Sequence, residues 1–424
     1  MARKKRNEVV AMSSNRYDDN FQKKFEGNIG EMIAMSEFLK EWEDESQWLE
    51  LTLSKMLTAV ESGGPLIVRD VMDRYNFMEG TTEEVVSSTI NNGLQMNTIA
   101  GSQLLVLSSE VVPYRNIAMC LSDTGFSSLI LRAGADCSAI SKAEIIDKKT
   151  IIDIGLKVSG EKTALALYSY GKIRTFNGGS TYAVLKQSEM FDAIISILNK
   201  DYGEFAFNGG TFTHGRTLAS FELTGDTDKI LETYTAACEE ANSIKSRGLK
   251  VQFDFSTSEI GDECATVSVC LTRGSMRILL GSAIKVQHSG QMTTKDFKDQ
   301  LPLLLAKTKV MVEGLERLLT IPVSHPINCM VDIAKYVGLA KVQTMNSIAE
   351  FQTMADAMLQ EDASTTFTAH DVFYVLQEAL MEMRKAGVAT TTIERCEENL
   401  SRTLIEEFDW ASHDVAVRPE WKQS

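Results

Sequence analysis

Tyr168, Tyr170, Lys172, Arg174 and Phe176 recur at every second position. Side chains alternate across a strand, so this spacing puts three aromatic rings and two cations on one face, in a stripe about 27 Å long if fully extended. Aromatic faces stack bases and cations neutralise phosphates, which is the chemistry that holds single-stranded nucleic acid, with stacking contributing about 1–3 kcal/mol per base. Leu165, Leu167 and Ile173 fall on the opposite face and suit a core. The same composition also fits tyrosines that cover a neighbouring helix beside cations that face solvent. Exposure of the stripe separates these two readings.

Further cations cluster at glycine-rich turns. Thr211-Phe212-Thr213-His214-Gly215-Arg216 reads as a hairpin, Arg273 and Arg277 flank Gly274-Ser275, and Lys285 and His288 end a later strand. Backbone amides and cations at such turns are natural phosphate contacts. Each also fits an ordinary solvated turn, and each imidazole a hydrogen-bonded or solvated one.

Recognisable catalytic patterns are missing from the sequence. It contains no G-x-x-x-x-G-K-[ST], and the glycine pairs Gly178-Gly179 and Gly209-Gly210 lack the lysine that a phosphate-binding loop requires. H-E-x-x-H, G-x-S-x-G and the deaminase zinc pattern are absent too. Seven cysteines, at 120, 137, 238, 264, 270, 329 and 396, form no C-x-x-C, and five dispersed histidines add no ligand spacing. They read as small buried hydrophobes in a reducing compartment. No cofactor or metal is expected and the reading is non-enzymatic, although scattered carboxylates could still assemble a metal nuclease site in space.

The elements that must position these groups sit in a chain of 424 residues, long enough for two or three domains. With 44% hydrophobic and 24% charged residues the composition is that of a globular protein. Apolar runs such as Leu301–Leu305 are far shorter than the roughly 20 residues of a membrane span. The basic start, Arg3 to Arg6, leads into polar residues, so a secretory signal is not expected and the cytoplasm is. The net charge of −15 argues against indiscriminate binding to duplex phosphate. Acidity concentrates toward the ends: residues 351–424 carry 6 basic and 14 acidic groups, whereas residues 151–350 carry 21 and 22. A nucleic-acid surface in the middle is therefore compatible with the charge.

Periodicity predicts an α+β fold, in which a central antiparallel β-sheet domain with packed helices is flanked by N-terminal and C-terminal helical regions. The boundaries fall as a mobile basic arm at 1–27, a helical region at 28–100, the α+β core at 101–292 and a helical domain at 293–424. Helices are predicted from residue 29, over 48–60 and after Thr82, then at 185–198 and 227–248. Strands are predicted at 104–107, 128–131, 151–158 and 163–176, the last two as a hairpin about Ser159-Gly160, and again at 204–208, 216–223, 250–256, 264–272, 276–280 and 283–288. After Gly290 the apolar spacing becomes helical, with helices near 328–340, 343–359, 368–386 and 390–408. That change predicts a separately packed or oligomerising C-terminal unit.

Three short segments resemble a family of unknown function described as phage/plasmid-like proteins. Thr181-Tyr182-Ala183-Val184 with Ser188-Glu189-Met190-Phe191 is similar to that family's step from strand to helix, given one added residue. Gly210 to Arg216 resembles its glycine-and-arginine hairpin, and Val267-Ser268-Val269-Cys270 with Val286-Gln287-His288-Ser289 resembles its Cys strand followed by a His motif. This chain lacks the arginine usual inside the Cys strand, has Leu271 where a polar residue is usual, and has Ser289 in place of a threonine. The resemblance spans about a third of the chain and implies a phage or prophage context with an α+β core, without a mechanism. The expected function is single-stranded nucleic-acid binding in recombination or annealing by a homo-oligomer, with a virion or assembly protein as the alternative.

Overall fold

The computed structural model describes residues 14–16, 18–59, 106–109, 117–136, 138, 140–170, 172–179, 181–224, 227–281, 283–339 and 367–417. In chain order the elements begin with β1 (Gln22–Phe25), α1 (Ile29–Asp44), β2 (Ser46–Thr52), β3 (Met56–Ala59), β4 (Val106–Ser109), β5 (Ile117–Leu121), α2 (Asp123–Arg132), α3 (Ile145–Val158), β6 (Thr163–Ser169) and β7 (Lys172–Gly178). Next come α4 (Gln187–Ile197), β8 (Phe205–Thr213), β9 (Thr217–Leu223), α5 (Thr227–Glu240), β10 (Lys250–Thr257), β11 (Ala265–Arg273), β12 (Met276–Leu279) and β13 (Ile284–Val286). Then follow α6 (Thr294–Gln300), α7 (Leu303–Leu318), β14 (Pro322–Val323), α8 (Pro326–Tyr336), β15 (Phe367–Thr368), α9 (Ala369–Lys385) and α10 (Thr390–Ser401). This is an α+β fold. The arm residues 1–13 and the helices predicted after Thr82 and at 343–359 lie outside the described residues.

Seven antiparallel strands form the central sheet, in the order β1-β8-β9-β10-β11-β12, with β13 pairing β11 beside β12. Strand β10 explains its two faces. Val251, Phe253 and Phe255 are buried, while Lys250, Gln252, Asp254 and Ser256 alternate with them on the other side. Phe253 stands opposite Phe221 on one neighbour and Val269 on the other, so the inner face is a continuous apolar layer. A second, six-stranded sheet runs β2-β6-β7-β5-β4-β3, with β5 and β7 parallel. Helices α2 and α3 cover one of its faces through Leu129, Ile152 and Leu156.

Several predicted elements are corrected. Residues 151–158 belong to helix α3. Their apolar residues fit period 2 and period 3.6 alike, but burial follows the helix, with Ile152 and Leu156 at 0% exposure and Ile154 at 59%. Gly155 lets α3 touch the end of α2, because a β-carbon there would lie 2.1 Å from the Ala133 carbonyl oxygen. Residues 128–131 lie in α2, which Ser122 caps by accepting from the Gly125 amide. Residues 46–52 are strand β2, since pairing with β6 along its whole length overrides a weak helical pattern. Within the predicted mobile arm, residues 22–25 are β1, paired to β8.

The helices after Gly290 share the central core. Phe297, Leu315, Phe373, Leu400 and Trp410 belong to one buried cluster with Phe221, Phe253 and Phe255. Phe255 and Phe297 meet edge to face at 6.1 Å. The Tyr234 hydroxyl lies 2.8 Å from both His370 Nε2 and the Tyr374 hydroxyl, tying α5 to α9. Position 293 thus marks a change of secondary structure inside one core, which overturns the separately packed C-terminal unit. Among the described residues no helix is long and apolar enough to cross a membrane.

Candidate nucleic-acid interface

The alternating stripe is broken twice. Strands β6 and β7 are joined through a turn at Tyr170, whose φ is 45°. A tyrosine in that left-handed region is uncommon, and here its ring packs 4.5 Å from the Trp42 ring. Beyond the turn, Tyr168 pairs with Ile173 and Leu167 with Thr175, leaving Arg174 as a β-bulge. One extra residue flips everything after it to the other face. Phe176 therefore joins Ile173 and Tyr168 in the core between the sheet and α2 and α3. Tyr168, Arg174 and Phe176 are at 5%, 2% and 0% exposure, so the five residues form no exposed stripe.

Tyr170, Lys172, Arg174 and His214 nevertheless come together, beneath Arg16, Asp18, Asp19 and Phe21. The Asp19 carboxylate accepts from Lys172 Nζ at 3.0 Å and from Arg174 Nη1 at 3.1 Å. Its other oxygen accepts from the Asp123 backbone N–H at 2.8 Å, at the start of α2. His214 Nε2 lies 2.9 Å from the Asp18 carbonyl oxygen. Arg16 bonds the Tyr170 hydroxyl and pairs with Glu41. Burial, helped by the Arg174 charge, pushes the His214 imidazole down to about 3. Phe21 stacks on Trp42 at 5.8 Å and holds the near end of this segment. Trp42 Nε1 donates to Glu259 Oε2 at 2.8 Å, and burial pushes that carboxyl up to about 7. His288 is elsewhere, buried against the Tyr182 ring at 5.5 Å, with Nδ1 3.2 Å from the Ala183 carbonyl oxygen. Those contacts join two of the segments that carry the family resemblance, since Tyr182 also bridges Ser289.

The remaining predicted cations meet on the outer face of the central sheet. Arg216 on the β8–β9 turn, Arg273 ending β11, Arg277 on β12 and Lys285 on β13 all line one groove of 1510 Å³. Sequence periodicity did not single out Lys24, Lys250 and Arg384, which line it as well. Lys250 was legible as the polar phase of β10, but Lys24 enters only because β1 pairs with a strand nearly two hundred residues away. Acidic groups hold most of these cations. Arg216 pairs with Glu263 at 2.8 Å, Lys285 with Glu398 at 2.9 Å, and Lys250 with Glu222 at 2.8 Å. Arg273 donates to the carbonyl oxygens of Lys245 and Arg247.

The most buried part of the groove is an ion network that fastens α9 and α10 to the sheet. Arg277 bonds Asp254 at 3.1 Å, Ser268 at 3.2 Å and Glu397 at 2.9 Å, and Glu397, at 1% exposure, also pairs with Arg384. Cys270 Sγ donates to Asp254 Oδ2 at 3.2 Å, and burial holds its thiol far above the usual range. A protonated, buried thiol is no nucleophile. Among the described residues no group of three or more His, Cys, Asp and Glu side chains is placed to hold a metal ion. The chain matches no family model, no curated protein and no solved structure.

Proposed function

We propose that this is a phage or prophage protein that binds single-stranded nucleic acid along the outer face of its seven-stranded sheet. The observation that carries the reading is the convergence of Arg216, Arg273, Arg277 and Lys285, from separate turns and strands, on one groove. Its 1510 Å³ exceeds the roughly 300–1,000 Å³ of a small-molecule pocket and suits a polymer. Contact there is to phosphates and sugars through cations, hydroxyls and the backbone at Gly209 and Gly210. The aromatic side chains along the groove, Phe25 and Phe255, point into the core at 4% and 1% exposure, so stacking contributes little and sequence preference is weak.

A strand must displace the acidic partners of these cations, so affinity is modest and strongly salt-dependent. Five cations, Lys24, Arg216, Lys250, Lys285 and Arg384, are the most solvent-accessible, giving an expected slope of log K against log salt of about −3.5. Fluorescence anisotropy with a labelled oligothymidine checks this. The double variant Arg216→Ala, Lys285→Ala should lower the slope's magnitude by about 1.4. Salt-insensitive binding, or equal binding by the variant, would contradict the assignment.

A second reading, a virion or assembly protein, is favoured by one observation. Seven cations and eight acids line the groove, so its charge is nearly balanced. A balanced, hydrogen-bonding sheet face also fits an extended polypeptide. Size exclusion with and without the oligonucleotide separates the two, since only the first reading gives a co-eluting complex.

A further inference from the structure

The strand pairings lay one straight row of residues across the outer face of the central sheet. Lys24 stands opposite Thr211, Thr211 opposite Leu218, Leu218 opposite Ser256, Ser256 opposite Thr266 and Thr266 opposite Lys285. All six line the groove, while the residues next to them along the strands, such as Phe212, Phe255 and Val267, are buried in the core on the other side. Neighbouring strands lie about 4.8 Å apart, so the row is about 24 Å long. It runs from one lysine to another by way of three hydroxyls and a leucine at 36% exposure. Such a shelf suits an extended polymer lying across the strands, with phosphates at its cations and sugars over its hydroxyls.

The cations beside this row are held by carboxylates. Arg216, on the β8–β9 turn, lies 2.8 Å from Glu263, which sits on the connection between the strands of Ser256 and Thr266. Lys285 Nζ lies 2.9 Å from Glu398 on α10. A phosphate that takes either cation strips a carboxylate of that partner, and the displaced charge then needs another donor. The two nucleic acids differ at this point. A deoxyribose-phosphate backbone offers acceptors only, whereas each ribose adds a 2′-hydroxyl that donates as well as accepts. A ribose strand therefore replaces the donor that its own phosphate removes, and a deoxyribose strand sets like charge against a bare carboxylate. Within the row, Thr266 Oγ1 donates to the Cys264 carbonyl oxygen at 3.2 Å, which leaves its lone pairs for an incoming donor.

We propose that the groove takes single-stranded RNA in preference to DNA, with the strand lying along the row from Lys24 to Lys285 and its 2′-hydroxyls donating to Glu263, Glu398 and Thr266. This rests on the proposed binding along the sheet and adds the identity of the sugar.

Fluorescence anisotropy with the full-length protein and labelled probes of equal length, at one salt concentration, tests it. Oligouridine should bind at least about tenfold more tightly than oligodeoxyuridine, since a hydrogen bond to a charged acceptor contributes that much on its own. An oligouridine with 2′-fluoro sugars keeps the ribose pucker and loses only the donor, and it should bind no more tightly than the deoxy strand. Glu263→Gln with Glu398→Gln should strengthen deoxy binding more than ribo binding, so that the preference shrinks. The fluoro probe uses the parent protein and decides the matter should that variant not fold. Equal binding of the ribo and deoxy strands would overturn the proposal and leave the groove reading intact, whereas binding of neither would contradict the groove and the proposal together. A fluoro strand bound as tightly as the ribo strand, or a preference undiminished in the double variant, would also overturn it.

Discussion

Replacing Trp42 with alanine is expected to destabilise the protein by at least about 4 kcal/mol, the upper part of the range for truncating a buried tryptophan. The indole, at 1% exposure, packs against Phe212 at 4.6 Å, Tyr170 at 4.5 Å, His214 at 5.2 Å and Phe21 at 5.8 Å. These residues come from the central sheet, from the turn of the second sheet and from the segment that covers the cations, so one ring holds three parts together. Its N–H is also the donor to the Glu259 carboxyl, and an unsatisfied buried group costs about 1–3 kcal/mol more. Trp42→Phe should keep most of the packing and lose mainly that hydrogen bond. Urea denaturation of the three proteins checks the order, parent above Trp42→Phe above Trp42→Ala. Equal losses for the two variants would mean that the hydrogen bond outweighs the packing.

Mild acid should destabilise the protein above the pH at which its exposed carboxylates titrate. Burial pushes His214 down to about 3 and His370 down to about 4, and it lowers His288 as well. An unfolded imidazole titrates near 6.5, so below that pH the unfolded chain binds protons that the folded chain does not, and stability falls as pH falls. Glu259 works in the opposite sense. Its carboxyl, pushed up to about 7, holds a proton in the folded state that the unfolded chain gives up above about 4.5, so on its own it makes stability fall as pH rises through that range. The two strongly depressed imidazoles against that carboxyl leave about one proton net, a loss of up to about 1.4 kcal/mol per pH unit as pH falls below 6.5, to which His288 adds and from which the Glu43 and Asp262 carboxyls, also raised by burial, subtract. Denaturant midpoints measured across that window check it. A flat profile would mean that these imidazoles do not remain neutral in the fold.

Much of the central sheet was legible because its strands alternate cleanly. In β10 each buried residue, Val251, Phe253 and Phe255, is separated from the next by a polar one, and the strand falls where periodicity puts it. Residues 163–176 misled for a definite reason. A turn at a tyrosine resembles strand continuation, and a bulge at Arg174 carries no compositional mark, so a two-residue period runs through both unaltered. Residues 151–158 misled because four apolar residues at even spacing satisfy helix and strand together, and only packing against α2 decides.

The candidate groove was legible as parts and illegible as a whole. Arg216, Arg273 and Arg277 stand out beside glycine turns, but their meeting depends on a strand order that only long-range pairing sets. The covering of Lys172 and Arg174 by Asp19 rests on contacts more than 150 residues apart in sequence, beyond the reach of any local pattern.

Photo-cross-linking tests the groove most directly. The protein is saturated with an oligonucleotide carrying 5-bromodeoxyuridine, irradiated and digested, and the modified peptides are mapped by mass spectrometry. Binding along the outer face of the central sheet predicts cross-links within 205–223 and 250–286, lost in high salt. Cross-links confined to other parts of the chain, or none at a concentration where anisotropy reports saturation, would contradict it.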